Sequence, residues 1–396
     1  DAAITEAAHP EGYKIELGDT ATITAPNTDG LFYGMRALQR GLIANNESMP
    51  NGTIVDYPGT NERAFHLDAA RKWFGKDWIE SLVKDLSYQG FNKLQFHFSE
   101  NEGFRIESDT CEQLSGWRYP SDGYYTKAEM LEIIELCNQY HIDFYPSLDS
   151  PGHLDYILNF CPTSWDITDK WASDWRSTQV FDIFDEPEAK QFLLDLFEEF
   201  AVFFSEAGCK YFNIGGDEFL NNFALMSNDQ YIQVIDYFNE VAALVKSYGM
   251  TPRVWNDGVM YGYYTGYELD KDIEICYWSC PNACAYISKF MENGNNVINY
   301  ADTFMYFALN SWWMNNANAS GEKIYTQWHP GKTASAADYF DYPYPEQLLG
   351  ASYALWCDEP NFMSKENVAS HLMMRTRAMM ERSWIPTKAV GAYSTF

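Results

Sequence analysis

Positive charge, histidine and long apolar runs are all scarce in this chain of 396 residues. Lys and Arg number 27 against 56 Asp and Glu, a formal charge of -29, and a surface of that sign repels phosphate backbones and anionic lipid heads. Nucleic acid and membrane surfaces are therefore poor candidate partners. No apolar run approaches the ~20 residues needed to span a bilayer. There are seven His and no HxH or HExxH pair, so the ligand spacing of many metal-dependent barrel hydrolases is missing. The eight Cys (111, 137, 161, 209, 276, 280, 284, 357) form no C-x2-C pair, and even the regular run Cys276, Cys280, Cys284 lacks zinc spacing. Free or buried thiols are expected, with no metal and no cofactor. The chain opens at Asp1 without a charged-then-apolar leader, which reads as a soluble, processed or trimmed product. N-x-S/T tripeptides at Asn46, Asn51 and Asn318 are glycan acceptors only in a eukaryotic secretory pathway.

Aromatic residues, in contrast, make up 17% of the chain, with 13 Trp. Flat apolar faces stack well on the C–H faces of sugar rings, although a single Trp is more often simply core. Two long connections, residues 154–186 and 303–349, carry Trp165, Trp171, Trp175, Trp312 and Trp313, and their aromatic content argues for ordered walls of a binding cleft.

The first 58 residues contain alternating YKIEL and TATITA, then the helical pattern LFYGMRALQRGLIANN, a strand, strand and helix unit too small for a complete core. After YPGTNE the pattern becomes apolar runs of six to eight residues separated by amphipathic helices, the signature of repeated βα units on a parallel sheet. Eight strands are predicted, at 63–70, 93–99, 143–150, 211–217, 252–257, 273–279, 296–302 and 350–357. The economical assembly is a (β/α)8 barrel over 59–396 preceded by a small partial α+β domain over 1–58, with a doubly wound open sheet as the alternative. The Met-rich stretch MSKENVASHLMMRTRAMMERSW reads as a core-facing final helix.

Polar and aromatic residues gather at the C-terminal ends of these strands: Asp68 and Arg71, Glu100 and Glu102, Asp149 and His153, Asp217 and Glu218, Trp255 and Asp257, Trp278, Trp356 and Asp358. In a barrel those ends meet at one mouth. Acid pairs also occur at Asp185-Glu186 and Asp358-Glu359, but Asp217-Glu218 ends an apolar strand and follows Gly215 and Gly216, which leave room for a ligand against the backbone. Two carboxylates so placed suit glycosidic cleavage, in which one protonates the leaving oxygen and the other stabilises developing positive charge. Solvated loop acids are the plain alternative.

The segments RAFHLDAARKWF (63–74), FHFSENEGFRIES (96–108), SLDSPGH (147–153), NIGGDEF (213–219), RVWNDG (253–258), IEICYWS (273–279) and ALWCDE (354–359) resemble, in order and spacing, the family 20 glycoside hydrolases, the β-N-acetylhexosaminidases. The leading unit also resembles the end of that family's non-catalytic α/β domain. The resemblance implies a retaining exo-hexosaminidase in which the substrate's own acetamide is the nucleophile, a departure from the usual two-carboxylate scheme. It implies Glu218 as general acid and then base, its pKa raised by burial and its neighbour, and Asp217 as the group that orients the acetamide and stabilises the oxazolinium. Tyr306 would hold the acetamide oxygen, although a two-residue shift would put Phe304 there. Trp255, Trp278 and Trp356 would line the acetamide pocket and the floor under the ring. Arg63 would bind O3 and O4, Asp358 would bind O4 and O6, and Asp149 and His153 would sit beside Glu218. The expected partner is a glycan, and the expected location is outside a bacterial cell or on its surface.

Asn213 stands where the family often has His, Glu100-Asn101-Glu102 where it has Asp-Asp-Gln, and the shorter Asp358 where many members have Glu. These departures bear on which glycan is cut. Three rival readings are a lacto-N-biosidase releasing a Gal-GlcNAc disaccharide, which would need the space Arg63 is expected to close, an enzyme acting on 6-sulfated sugar, for which the net charge gives no support, and a non-catalytic sugar-binding barrel.

Overall fold

The computed structural model describes residues 9–115, 123–168, 179–219, 226–279, 284–310, 320–334, 338–387, 391 and 393–395. Trp171, Trp175, Trp312 and Trp313, expected on cleft walls, lie outside these residues, as do Asn318 and Cys280.

In the small N-terminal unit, β1 (Tyr13–Leu17) pairs antiparallel with β2 (Ala21–Thr24) on one edge and β3 (Gly52–Asp56) on the other. The third strand has no clear alternation and was not foreseen. Helix α1 (Thr28–Ala44) begins where the Asn27 side chain accepts the N–H groups of Asp29 and Gly30, satisfying donors that a first turn leaves open. Tyr33 from α1 packs on Tyr13 and Ile15. With so few buried side chains, this unit depends on the larger one beside it.

The larger unit is a closed barrel of eight parallel strands. β4 (Glu62–Asp68) and β5 (Lys93–His97) are followed by the two-residue strands β6 (Ser99–Glu100) and β7 (Gly103–Phe104). Then come β8 (Asp143–Ser147), β9 (Tyr211–Asn213), β10 (Thr251–Trp255), β11 (Glu274–Tyr277), β12 (Val297–Asn299), β13 (Tyr306–Ala308) and β14 (Leu348–Trp356). The ring runs β4-β5-β8-β9-β10-β11-β12-β14, and β14 pairs back to β4. The open-sheet alternative is thereby excluded. β13 lies parallel to the second half of β14, with Tyr306 opposite Ala354.

Parallel strands covered by helices are buried on both faces, as the uninterrupted burial of ERAFHLD in β4 illustrates. Phe65 and Leu67 join the outer apolar layer, whereas His66 turns inward against Trp255 and Trp356. The interior is filled: Tyr300 donates to the Gln95 side chain at 2.6 Å, and Tyr145 reaches both. Among the outer helices, α2 (Lys76–Gln89) ends on left-handed Gly90, while α3 (Lys127–Gln139) and α5 (Asn228–Ser247) start with capping boxes, Thr126 with Glu129 and Ser227 with Gln230. Helix α4 (Pro187–Glu206) takes Pro at its first position, where no N–H is needed. In α6 (Lys365–Trp384), Met379 and Met380 face the core but Met373 is 44% exposed, so only part of the Met run is core-facing. Among the described residues no helix is long and apolar enough to cross a membrane.

Candidate active site

The site is built at the C-terminal ends of the barrel strands. β9 stops at Asn213, whose side-chain oxygen accepts the N–H of Gly215 at 2.9 Å. Gly215 and Gly216 follow at φ of 84° and 97°, a region that penalises any Cβ, and at Gly215 a Cβ would stand 2.5 Å from the Ser150 nitrogen. This tight turn delivers Asp217 and Glu218 to the mouth. Glu218 itself has φ of 43°, a strained conformation for a residue with a side chain. Its N–H donates to Asp257 Oδ2 at 2.9 Å.

His153, also left-handed at φ of 57°, stands between the acids. Its Nδ1 is 3.1 Å from Glu100 Oε2, and its Nε2 is 3.7 Å from Asp217 Oδ2 and 3.5 Å from Glu218 Oε2. Burial opposes charging this ring, but Glu100 and Asp217 outweigh burial and hold the imidazolium pKa well above its ordinary value. Burial lifts the Asp217 carboxyl well above the carboxylate range, helped by the charges of Asp149, Asp257 and Glu218 and opposed by His153. Glu218 goes the other way. Burial would raise it, but the hydrogen bond and charge of His153, with Arg71, hold it below its ordinary value. The expectation that Glu218 is raised is corrected on this point: of the two adjacent carboxyls, the raised one is Asp217.

Asp149 is paired chiefly with His97, Nε2 to Oδ2 at 3.1 Å, which helps drive the His97 pKa to about 10 against burial. His97 also lies 3.6 Å from Glu100. His97, Glu100 and Asp149 bring ligand-type atoms within 4.8 Å of one another, but Arg71 and His153 already hold the Glu100 oxygens. A divalent cation would have to displace those two positive groups.

Arg63 does not reach the mouth. It is the second residue of β4, five residues before Asp68, which at strand rise is about 16 Å away. It is fully buried at the opposite end of the barrel, with Nη2 2.6 Å from Glu11 of the small unit and with Nε and Nη1 on the carbonyls of Gly90 and Thr60. The arginine at the mouth is Arg71, three residues past β4. It contacts Glu100 at 2.5 Å, Asp68 at 3.1 Å and Glu102 at 3.2 Å, and its guanidinium lies 5.7 Å from the Trp356 ring centroid. Its charge also acts on the exposed Asp358. The signal that distinguishes the two arginines is strand direction: Arg63 begins β4 and Arg71 follows its end.

The aromatic residues converge. Trp255, Tyr306 and Trp356 share one buried cluster against which Trp278 packs. Trp278 and Tyr306 stack at 5.9 Å and 8°, and Tyr306 lies 5.7 Å from Trp356. Phe304 belongs instead to the outer apolar core, so Tyr306 is the residue that the fold brings into this cluster. The Trp278 indole N–H donates to Asp257 Oδ1 at 2.9 Å. Asp257, Arg71, His97 and Glu100 were not among the residues expected to carry chemistry, although each stands at a strand end.

Residues 61–387 match the family model described as Glycosyl hydrolase family 20, catalytic domain, and residues 2–57 match its domain 2. A lacto-N-biosidase of Bifidobacterium bifidum is 25% identical over 94% of this chain and 33% of its own length. A beta-hexosaminidase of Akkermansia muciniphila is 26% identical over 72% of this chain and 62% of its own. The chain thus spans less than two thirds of either relative. Among solved structures, the β-N-acetylhexosaminidase of Bacteroides fragilis shares the fold at a TM-score of 0.76, with 20% identity over 98% of this chain and 80% of that one. Dispersin B does so at 0.67, with 20% identity over 82% and 99%. The chain belongs to glycosyl hydrolase family 20, the β-hexosaminidase family, and carries that family's catalytic domain.

Proposed function

We propose that this protein removes a terminal β-linked N-acetylhexosamine, N-acetylglucosamine or N-acetylgalactosamine, from a glycan with retention of configuration and with the substrate's acetamide as nucleophile. The observation that carries this reading is the adjacency of the Asp217-Glu218 pair, joined by His153, to the aromatic cluster of Trp278, Tyr306 and Trp356: Asp257 bridges the Glu218 backbone to the Trp278 indole, and the Asp217 charge acts on Tyr306. The acetamide carbonyl oxygen attacks the anomeric carbon as Glu218 gives its proton to the departing glycosidic oxygen. Water then attacks the same carbon, Glu218 takes back a proton, and the oxazolinium reopens to the acetamide. Asp217 accepts the acetamide N–H and must be charged when it does. The proton that burial favours on Asp217 must therefore sit on Glu218 when the substrate is cleaved, and His153 stands within 3.7 Å of both carboxylates. The indoles stack on the ring, and Arg71 offers donors to its hydroxyls.

A second reading, release of a Gal-GlcNAc disaccharide, is supported by one likeness: the lacto-N-biosidase of Bifidobacterium bifidum aligns with 94% of this chain. Arg63, whose side chain was expected to close the pocket against a second sugar, is paired with Glu11 away from the mouth, but Arg71 stands at the mouth in its place. The test is hydrolysis of p-nitrophenyl β-N-acetylglucosaminide beside the matching lacto-N-bioside, with Asp217→Asn and Glu218→Gln as controls. Hydrolysis of the monosaccharide glycoside, lost in both variants, supports the first reading. Cleavage of the disaccharide glycoside alone supports the second. Binding without hydrolysis of either would leave a sugar-binding barrel.

A further inference from the structure

We infer that Asp257 is a positioning residue that locks the general acid and the acetamide pocket into one unit. This rests on the hexosaminidase reading and adds to it a residue that neither family motif nor strand pattern assigns a role. The Asp257 carboxylate accepts two N–H groups from different parts of the site, the Glu218 backbone on Oδ2 and the Trp278 indole on Oδ1, each at 2.9 Å. One end of the bridge holds a residue at φ of 43°, a conformation that persists only where its surroundings fix it. The other end fixes the indole that stacks on Tyr306. Asp257 is 6% exposed, so both bonds are shielded from competing water.

An ionised carboxylate accepts both bonds, whereas an amide offers one acceptor and sets an N–H against the second donor. The charge also matters. Ionised Glu218 raises Asp257, and by reciprocity ionised Asp257 favours the protonated form of Glu218. The other titratable groups on Asp257 are Asp217, Tyr261 and Tyr306, while His153 and Arg71 act on Glu218 from the far side.

The experiment compares wild type, Asp257→Asn and Trp278→Phe on N-acetylglucosaminides with a good leaving group (2,4-dinitrophenol) and a poor one (phenol or a second sugar). A misplaced acid matters most where the leaving oxygen needs its proton. Asp257→Asn should lose roughly tenfold more kcat/KM on the poor leaving group than on the good one, and the basic limb of its pH profile should move down. Trp278→Phe should raise KM with unchanged leaving-group sensitivity. Equal losses on both leaving groups in Asp257→Asn, or no loss, would overturn the inference while leaving the hexosaminidase reading intact. A wild type inactive on every N-acetylhexosaminide would remove that reading, and this inference with it.

Discussion

His153 stands 3.5 Å from Glu218 through Nε2 and 3.1 Å from Glu100 through Nδ1, so one ring ties Glu218 to a buried carboxylate behind it. The charged ring stabilises the ionised form of Glu218. Its removal, in His153→Phe, should move the Glu218 pKa upward and carry the basic limb of kcat/KM to higher pH. It should also cost roughly ten- to a hundredfold in kcat, a part of the ~10²- to 10⁴-fold that general acid–base catalysis supplies. A pH–rate profile on a p-nitrophenyl glycoside checks both, and a limb that stays in place would detach His153 from the acid.

The two arginines near opposite ends of β4 should behave oppositely. Arg71→Ala removes the mouth cation beside Trp356 and leaves Glu100, Asp68 and Glu102 unbalanced, so kcat/KM should fall at least about a hundredfold. Arg63→Met breaks a buried pair with Glu11 and exposes no change to the sugar. Truncating one partner of such a pair costs about 3 kcal/mol. Its denaturation midpoint should drop while kcat/KM stays near wild type. Steady-state kinetics and urea unfolding on the same two variants separate the roles.

This pair also marks the limit of what sequence patterns convey. The eight strands were legible because buried parallel strands read as apolar runs, and Asp217-Glu218 stood out because two glycines precede it at a strand end. Arg63 was misassigned because motif likeness locates a segment without saying which end of the strand faces the mouth. β3 was missed because GTIVD, half exposed against a small sheet, carries little periodicity. The direction of the Glu218 shift was invisible for a different reason: it depends on His153, which arrives from another strand end 65 residues earlier in the chain and whose charge depends in turn on Glu100.

Tyr306→Phe should retain the stacking on Trp278 and the fold, because only the hydroxyl is lost. If that hydroxyl holds the acetamide oxygen for attack, kcat should fall by about 10² to 10³, the scale for deleting one aligned donor in a shielded site. An N-trifluoroacetyl substrate, whose carbonyl is a weaker nucleophile, should slow wild type strongly and the variant further. Insensitivity to that change would argue against acetamide participation.

Asp257 should also make the protein less stable than it need be. Burial, aided by the Glu218 charge and resisted by the N–H groups of Glu218 and Trp278, brings its pKa up to about 6 from an ordinary 3.8. A carboxyl raised on folding binds its proton more tightly in the native chain, so its contribution to stability falls as pH rises through that interval and is lost in full above it. Between pH 4 and pH 7.5 this amounts to about 2 kcal/mol. Asp257→Asn cannot ionise and escapes that term, so the stability of the variant relative to wild type should improve by this amount across the interval, even as its activity on poor leaving groups declines. Urea midpoints at the two pH values test this directly. A difference that does not change with pH would mean that Asp257 titrates as an ordinary carboxylate and that the Glu218 and Trp278 donors compensate its burial in full.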